Sequence, residues 1–314
     1  MAMQVSCKDH AQWCHFNPVC FCISQSHLSA ISISSNDSRL HVQLIHSTGL
    51  NPGCTHTAQT EAVMRARIAL AVEEANTAYA LSGIDLVLRA VHTYREPSGY
   101  VEYDDPDKSS IGSTALRDIA TDGDGLMDDV HLKRTQYGAD MVALIVNYGG
   151  GVAYRSTPTA SIGSQFSVTG WVKATGRFTF AHELGHNMGC NHDKGTKNAC
   201  STSDINYGYR DPQARFRSIM AYGCPSSAEC DGVTKAGTYS TCVRVQRFSN
   251  TYTNYPWGDG TSPIGTSTVN NAQHISTYKH VIAGFYNTVV CSSSFDCDDG
   301  NDCTADEVSR DYLR

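Results

Sequence analysis

Residues 182–193 read His182-Glu183-Leu184-Gly185-His186-Asn187-Met188-Gly189-Cys190-Asn191-His192-Asp193, residue types that at this spacing can do metal chemistry. On a helix, residues four apart are rotated by about 400°, so His182 and His186 share a face and can grip one ion. An unbroken helix would carry His192 about 15 Å along the axis from His182, out of reach. The helix must therefore end between them. Gly189, free to take positive φ, supplies the break that swings His192 back to the metal. Three neutral imidazoles leave one or two positions open, which separates a catalytic zinc site from a structural one. Zinc lowers the pKa of bound water from about 16 toward about 7, and Glu183, beside a ligand, is placed to take the proton as general base. The expected nucleophile is hydroxide-like and attacks a metal-polarised carbonyl, after which Glu183 protonates the departing amine. A bare His-Glu-x-x-His should arise by chance in roughly 0.02 of chains this long, whereas adding Gly189, His192 and Asp193 lowers that to on the order of one in a million. The extension, not the pentapeptide, carries the assignment.

Several elements must position these residues. A strand is expected at 41–46. A long helix follows over 57–81, with Ile68, Ala69, Val72, Ala75 and Tyr79 near helical spacing and Gly83 as its stop. Residues 84–91 alternate as a strand with Ile84, Leu86, Leu88 and Ala90 on one face, and a polar loop comes next. Asp122-Gly123-Asp124-Gly125 opens a helical stretch over 126–136. As a calcium loop its match is poor, since an EF-hand register puts Ala120 where a first or third ligand must be; a turn with an Asp cap is expected, and calcium is an unsupported second ion. The apolar run 141–146 fits a central strand buried on both faces. Gly149-Gly150-Gly151-Val152-Ala153-Tyr154 reads either as a flexible turn or as a bared edge strand, with Gly150, Gly151 and Val152 binding a peptide by strand addition. A short strand at 165–171, the motif helix at 178–188 and a closing helix at 272–286 complete the set. The closing helix stripes Ile275, Tyr278, Val281, Ile282 and Phe285. Strands mixed with three long helices give an α/β or α+β domain.

The 314 residues are 40% hydrophobic and 18% charged, enough for a proper core, and the net charge of −7 offers polyanions no basic patch. Nucleic acid is not an expected partner. No run of about 18 apolar residues is present, so no transmembrane segment is expected. Thirteen cysteines point to disulfides and secretion, although the first 40 residues lack the pattern of a signal peptide. The odd count leaves at least one thiol unpaired, and the pairing itself does not follow from the sequence.

Downstream, Ser218-Ile219-Met220-Ala221-Tyr222 matches the Met-turn of metzincins, with Met220 as an apolar floor beneath the histidines. Tyr222 would then reach the metal or the developing oxyanion, or simply pack. With Asp193 after the third histidine, the chain resembles the reprolysin (adamalysin, ADAM-like) branch of metzincins. Glu74-Ala75-Asn76, Tyr137-Gly138-Ala139-Asp140, Phe180-Ala181 and the segment 216–224 look like those of bacterial peptidyl-Asp metalloendopeptidases. The resemblance covers about residues 39–290. It implies a twisted, mostly parallel five-stranded sheet with an antiparallel edge strand, and a zinc cleft between upper and lower subdomains. It also implies that Asp193 holds the loop near the Met-turn by hydrogen bonds. Cleavage on the amino side of Asp is implied too, which requires a cation on the primed side; Arg215, Arg217 and Lys194 lie near in sequence. The chain departs from the family in Cys190, Cys200, Cys230 and Cys242 and in an insertion between Cys224 and Phe248.

The expected organisation is an irregular segment at 1–38 (pro-segment, linker or gene-model artefact), a catalytic domain at 39–290 and a short acidic Cys-rich tail at 291–314. The expected function is a secreted zinc metalloendopeptidase, with one catalytic ion and protein or peptide substrates. The rival is an adhesion protein that keeps the fold and uses its tail for contacts. Oligomeric state is not legible.

Overall fold

The computed structural model describes residues 39–46, 61–96, 100, 111–147, 149–156, 162–234, 242–258 and 260–286. The segments expected at 1–38 and 291–314 lie outside them. Alternation puts Leu40, Val42 and Leu44 on one face of strand β1 (Arg39–His46) and Ile45 on the other. Helix α1 (Glu61–Leu81) buries Met64, Ile68, Ala71, Ala75, Ala78 and Tyr79, a stripe of steps of three and four. Ala69, expected on that stripe, is exposed, because it falls one position past Ile68 and off the face. The chain leaves α1 through Gly83 at φ +69°. Asn76 then clasps the backbone of Leu88 in both directions, at 2.8 and 3.0 Å.

Strand β2 (Val87–Arg95) runs four residues beyond the expected 91. Ile84, Leu86 and Leu88 are buried, but Ala90 is exposed: the register with β1 slips after Val42, which pairs with Ala90 while Gln43 pairs with His92. The extra residue re-aims the strand. Helix α2 (Ile111–Ala120) stands where a polar loop was expected, with Ala115, Leu116 and Ile119 buried on a short stripe. Helix α3 (Asp129–Gln136) begins three residues later than expected. Asp128 explains the delay, since its carboxylate accepts the amides of Gly123 at 2.9 Å and Gly125 at 3.0 Å and holds 123–128 as a turn.

The fully apolar run becomes β3 (Met141–Val146), buried at all six positions. Then come β4 (Gly151–Ala153), a 3-10 turn at Ile162–Ser164, β5 (Phe166–Gly170), the short helix α4 (Trp171–Ala174) and the motif helix α5 (Thr179–Asn187). Short pieces follow: β6 (Asn191–Asp193), α6 (Lys194–Lys197), β7 (Tyr207–Gly208), β8 (Phe216–Arg217) and β9 (Val243–Arg244). A hairpin, β10 (Asn250–Trp257) and β11 (Gly260–Ile264), leads to α7 (Asn271–Ile282). That last helix stops four residues short of the expected 286, and Val281 lies exposed on its outer face while Lys279 is buried.

The five main strands lie in the order β2-β1-β3-β5-β4, all parallel except β4, which runs antiparallel to β5 at the edge. The fold is thus an α/β sheet structure of the expected kind. Met141, Ala143 and Ile145 join α1, α5 and α7 in one core, and Val142, Leu144 and Val146 join α2 and α3 in another, so β3 is sandwiched between layers. Among the described residues, no helix is long and apolar enough to cross a membrane. Cys200 pairs with Cys230 and Cys224 with Cys242, while Cys190 is a buried free thiol.

Candidate active site

Helix α5 carries His182, Glu183 and His186 and is buried along its whole length. It ends as its sequence demands. Gly189 takes φ +87°, its amide donates to His186 O at 2.8 Å, and the Cys190 amide donates to Gly185 O at 2.9 Å. The reversed chain enters β6, which carries His192. The ligand nitrogens of His182, His186 and His192 then all lie within 4.8 Å of one another, with His186 Nε2 2.9 Å from His192 Nε2.

Two of these rings are fixed from behind. His182 Nδ1 lies 2.8 Å from Ile219 O, and His186 Nδ1 lies 2.8 Å from Cys190 O. A carbonyl can only accept, so each Nδ1 is the donor and each Nε2 is left with its lone pair. His192 is held by ring contact with Tyr222, centroid to centroid 3.9 Å. Burial is the main cause that holds His182 well below the usual histidine range and brings His186 down to about 4 and His192 to about 3. The neutral ring is the ligating form. Three neutral imidazole nitrogens facing one another suit a single divalent ion with nitrogen-donor preference.

Glu183 is 3% exposed, and burial pushes its carboxyl up to about 8, against the pull of the Arg244 charge. Strand β4 passes close beside it. A Cβ on Gly151 would collide with Glu183 Oε1 and would lie 2.7 Å from Thr179 Cγ2, so only glycine lets the strand come this close to α5. Gly151, Val152 and Ala153 pair with β5 on one side, and β4 is last in the sheet order. Gly150 O accepts the Gly170 amide at 2.7 Å and continues that pairing.

The floor of the site is equally tight. A Cβ on Gly185, between the two helical histidines, would lie 2.5 Å from Met220 Sδ, so the methionine fills the space that glycine leaves under the helix. Tyr222 follows at 46% exposure. Asp193, 1% exposed, ties this turn to the histidine loop: it accepts the Tyr222 amide at 2.9 Å, the Thr196 amide at 2.8 Å and the Thr196 hydroxyl at 3.0 Å.

Residues to which sequence reasoning gave no role complete the frame. Asn187 donates to Tyr154 O at 2.9 Å and Phe166 O at 3.0 Å, locking the end of α5 to the edge-strand pair. Arg210 places Nη1 2.9 Å from Asp193, 2.5 Å from Glu229 and 3.3 Å from Asp231. These three carboxylates approach closely enough to suggest a second metal site, but the Arg210 guanidinium already stands among them and bonds to each. Asn187 sits inside the motif and was readable there as a buried amide; nothing in the spacing of Arg210 marks it.

Of the three cations near in sequence, two are engaged elsewhere. Lys194 donates to Thr202 O at 2.7 Å, and Arg215 is paired with Asp211 at 2.6 Å. Arg217 stands directly across the β8–β9 pair from Arg244. Arg244 donates through Nη1 to Arg177 O at 3.1 Å, two residues before α5 begins.

Residues 44–232 match the family description Reprolysin_5, metallo-peptidase family M12. Over 222 residues the chain is 29% identical to a peptidyl-Asp metalloendopeptidase of Xanthomonas campestris pv. campestris, covering 71% of this chain and 47% of that protein. It is also 29% identical over 228 residues to one of Stenotrophomonas maltophilia, covering 71% and 48%. A third, from Pseudomonas aeruginosa, is 32% identical over 196 residues, covering 54% of this chain and 30% of its own. The chain spans half or less of the length of these relatives. A solved structure described as "Structure of a chaperone-substrate complex" contains a chain that superposes with a TM-score of 0.55 at 18% identity, covering 80% of this chain and 36% of that one. That is a likeness of fold alone.

Proposed function

Because the chain belongs to metallo-peptidase family M12, we propose that it is a secreted zinc-dependent endopeptidase whose catalytic domain spans about residues 39–290 and which cleaves proteins on the amino side of Asp. The observation that carries this reading is the convergence of three neutral histidine nitrogens beside a buried glutamate on the same helix. His182, His186 and His192 hold the ion. When bound, zinc supplies a Lewis acid that makes water acidic near neutral pH and polarises a carbonyl.

The chain's own residues do the rest. Glu183 takes a proton from the attacking water and delivers it to the departing amine, which its position one residue from His182 and against Gly151 allows. Gly150, Gly151 and Val152 offer the outer edge of β4 for an extended peptide to add as a strand. That places the substrate backbone beside Glu183. Met220 supports the helix from below, and Asp193 and Gly189 hold the loop that brings His192 in. Tyr222, in ring contact with His192, is the residue placed to donate to the oxyanion. The Asp preference follows the names of the relatives, and two disulfides support the secretory reading.

The test is cleavage of casein and of a mixed peptide library by zinc-loaded protein, with products identified by mass spectrometry. Glu183→Ala should lower turnover about 10²- to 10⁴-fold. Chelation should abolish cleavage, and added zinc should restore it. Equal turnover in both proteins would sink the mechanism, and peptides cut without regard to Asp would sink the preference.

A further inference from the structure

We propose that Arg244, with Arg217 and Arg177 around it, is the specificity-determining cation that receives the side-chain carboxylate of the substrate residue following the scissile bond. This rests on the endopeptidase reading and adds to it the residues that choose the substrate.

Position comes first. Arg244 lies on β9, opposite Arg217 on β8, and Arg217 is immediately followed by the Met-turn segment Ser218 to Tyr222. Its Nη1 is tethered to Arg177 O at the entrance to α5, so the guanidinium bridges the Met-turn side and the start of the helix that carries Glu183. A bound peptide lying along β4 past Glu183 must present a side chain to this region.

The free edge of the guanidinium comes second. With Nη1 committed to Arg177 O, the Nε and Nη2 hydrogens remain, and these two lie parallel, the arrangement that grips a carboxylate through both oxygens. Arg244 Nε is buried, and neither it nor Nη2 has a partner among the described residues. A buried charged donor left open costs stability unless something fills it. A substrate carboxylate is the group that fits.

Charge balance comes third. Among the described residues, Arg177, Arg217 and Arg244 have no carboxylate within ion-pair distance, unlike Arg210 and Arg215. Arg217 donates instead to the carbonyls of Ala221 at 2.9 Å and Cys242 at 3.0 Å, which fix it without neutralising it. Burial, with Arg244 next in effect and then Arg210, lowers Arg217 to about 10. Such a cationic wall beside a metal site, with no carboxylate in direct contact, attracts an anion. Lys194 and Arg215, nearer the motifs in sequence, are engaged with Thr202 O and Asp211 instead.

The experiment compares two peptides identical except for Asp or Asn after the scissile bond. Binding is read by calorimetry on zinc-loaded Glu183→Ala protein, and cleavage on protein with Glu183 intact. The Asp peptide should bind at least about 30-fold tighter than the Asn peptide, the range for a buried charge pair. Arg244→Gln should bring that ratio to within about threefold of unity while leaving Asn-peptide affinity in place. Arg244→Lys should retain part of the preference, because it keeps the charge and loses the fork. Arg215→Gln and Lys194→Gln should leave the ratio unchanged. Unchanged preference in Arg244→Gln overturns the inference, as does the absence of any Asp preference in the parent. Cleavage in either of those cases leaves the endopeptidase reading standing, and loss of cleavage with the binding ratio intact sinks that reading alone.

Discussion

The sheet and the metal loops are held together by different physics. In β3 every residue is buried, and its alternating side chains feed two apolar cores, so the contribution of any one residue is shared among many neighbours. From Met188 to Phe248 the described chain has only strands of two or three residues and one four-residue helix. Order there comes from a few polar ties: Asp193 to Tyr222, Arg210 to Asp193, two disulfides, and carbonyls that take the histidine Nδ1 hydrogens. A site that needs three side chains from two separate segments cannot be built on one regular element. It therefore depends on single residues in a way the sheet does not.

The largest test of that contrast is Arg210→Met. Removing one member of a buried ion pair leaves Asp193 uncompensated and should cost about 3–5 kcal/mol in urea unfolding. Because Asp193 also anchors the Tyr222 amide, zinc affinity should fall with it. The double variant Arg210→Met/Asp193→Leu should recover part of the loss, and strict additivity would break the picture of a coupled hub. Next in size is Leu144→Ala in the central strand, expected to cost about 3 kcal/mol by cavity formation. Here zinc affinity and turnover per folded molecule should stay at the parent level. Comparable loss of zinc binding in both variants would erase the distinction between the halves.

A smaller effect separates them by pH in the metal-free protein. Glu183 titrates near 8 when folded and near 4.5 when unfolded, so the folded state binds the proton first. Stability contributed by this group is lost as pH rises through that window, and the metal-free protein should gain stability on going from pH 8 to about 6.5. Below about 6.5 the sign reverses. The unfolded chain then protonates histidines that the fold keeps neutral, with His186 near 4, His192 near 3, His274 near 4 and His182 also depressed. Glu183, down to about 4.5, and Asp140, raised to about 6 in the sheet half, work against this loss but are outnumbered by the four histidines. A thermal-melting series on chelated protein should show a maximum near neutrality. A monotonic rise toward acid would mean that the histidines are not buried neutral.

Much of this was legible in advance for a physical reason. Periodicity reports burial, so β1, α1, β3 and α5 could be placed, and Gly189 could be placed because a helix that must turn back needs a residue tolerant of positive φ. The errors have causes just as local. Ala90 leaves the face that alternation predicts because a bulge is a property of the pair β1–β2 and not of either strand. Helix α3 started late because Asp128 reaches back to amides three and five residues earlier. Arg210 and Arg244 are not legible in the sequence because an isolated arginine carries no period, and their meaning lies wholly in which distant groups they meet. The disulfides were countable but not pairable for the same reason.

Tyr222 offers the finest test, because its backbone belongs to the polar frame while its side chain does not. Its amide is held by Asp193, but its ring is 46% exposed and meets the site through His192, at 3.9 Å between centroids, and more distantly His182, at 6.5 Å. Tyr222→Phe keeps both the amide tie and the ring contact and removes one oxygen, so the melting temperature and zinc affinity should be unchanged. If the hydroxyl donates to the oxyanion, kcat should fall about tenfold, about 1.4 kcal/mol, with KM near the parent value. That is less than the about 10²- to 10³-fold of a fully buried oxyanion donor, because water competes at a half-exposed position. Tyr222→Leu should add to this whatever the ring contributes to holding His192, and would show up as weaker zinc binding. If Phe matches the parent in kcat, the hydroxyl is idle and the residue serves the third histidine by packing alone.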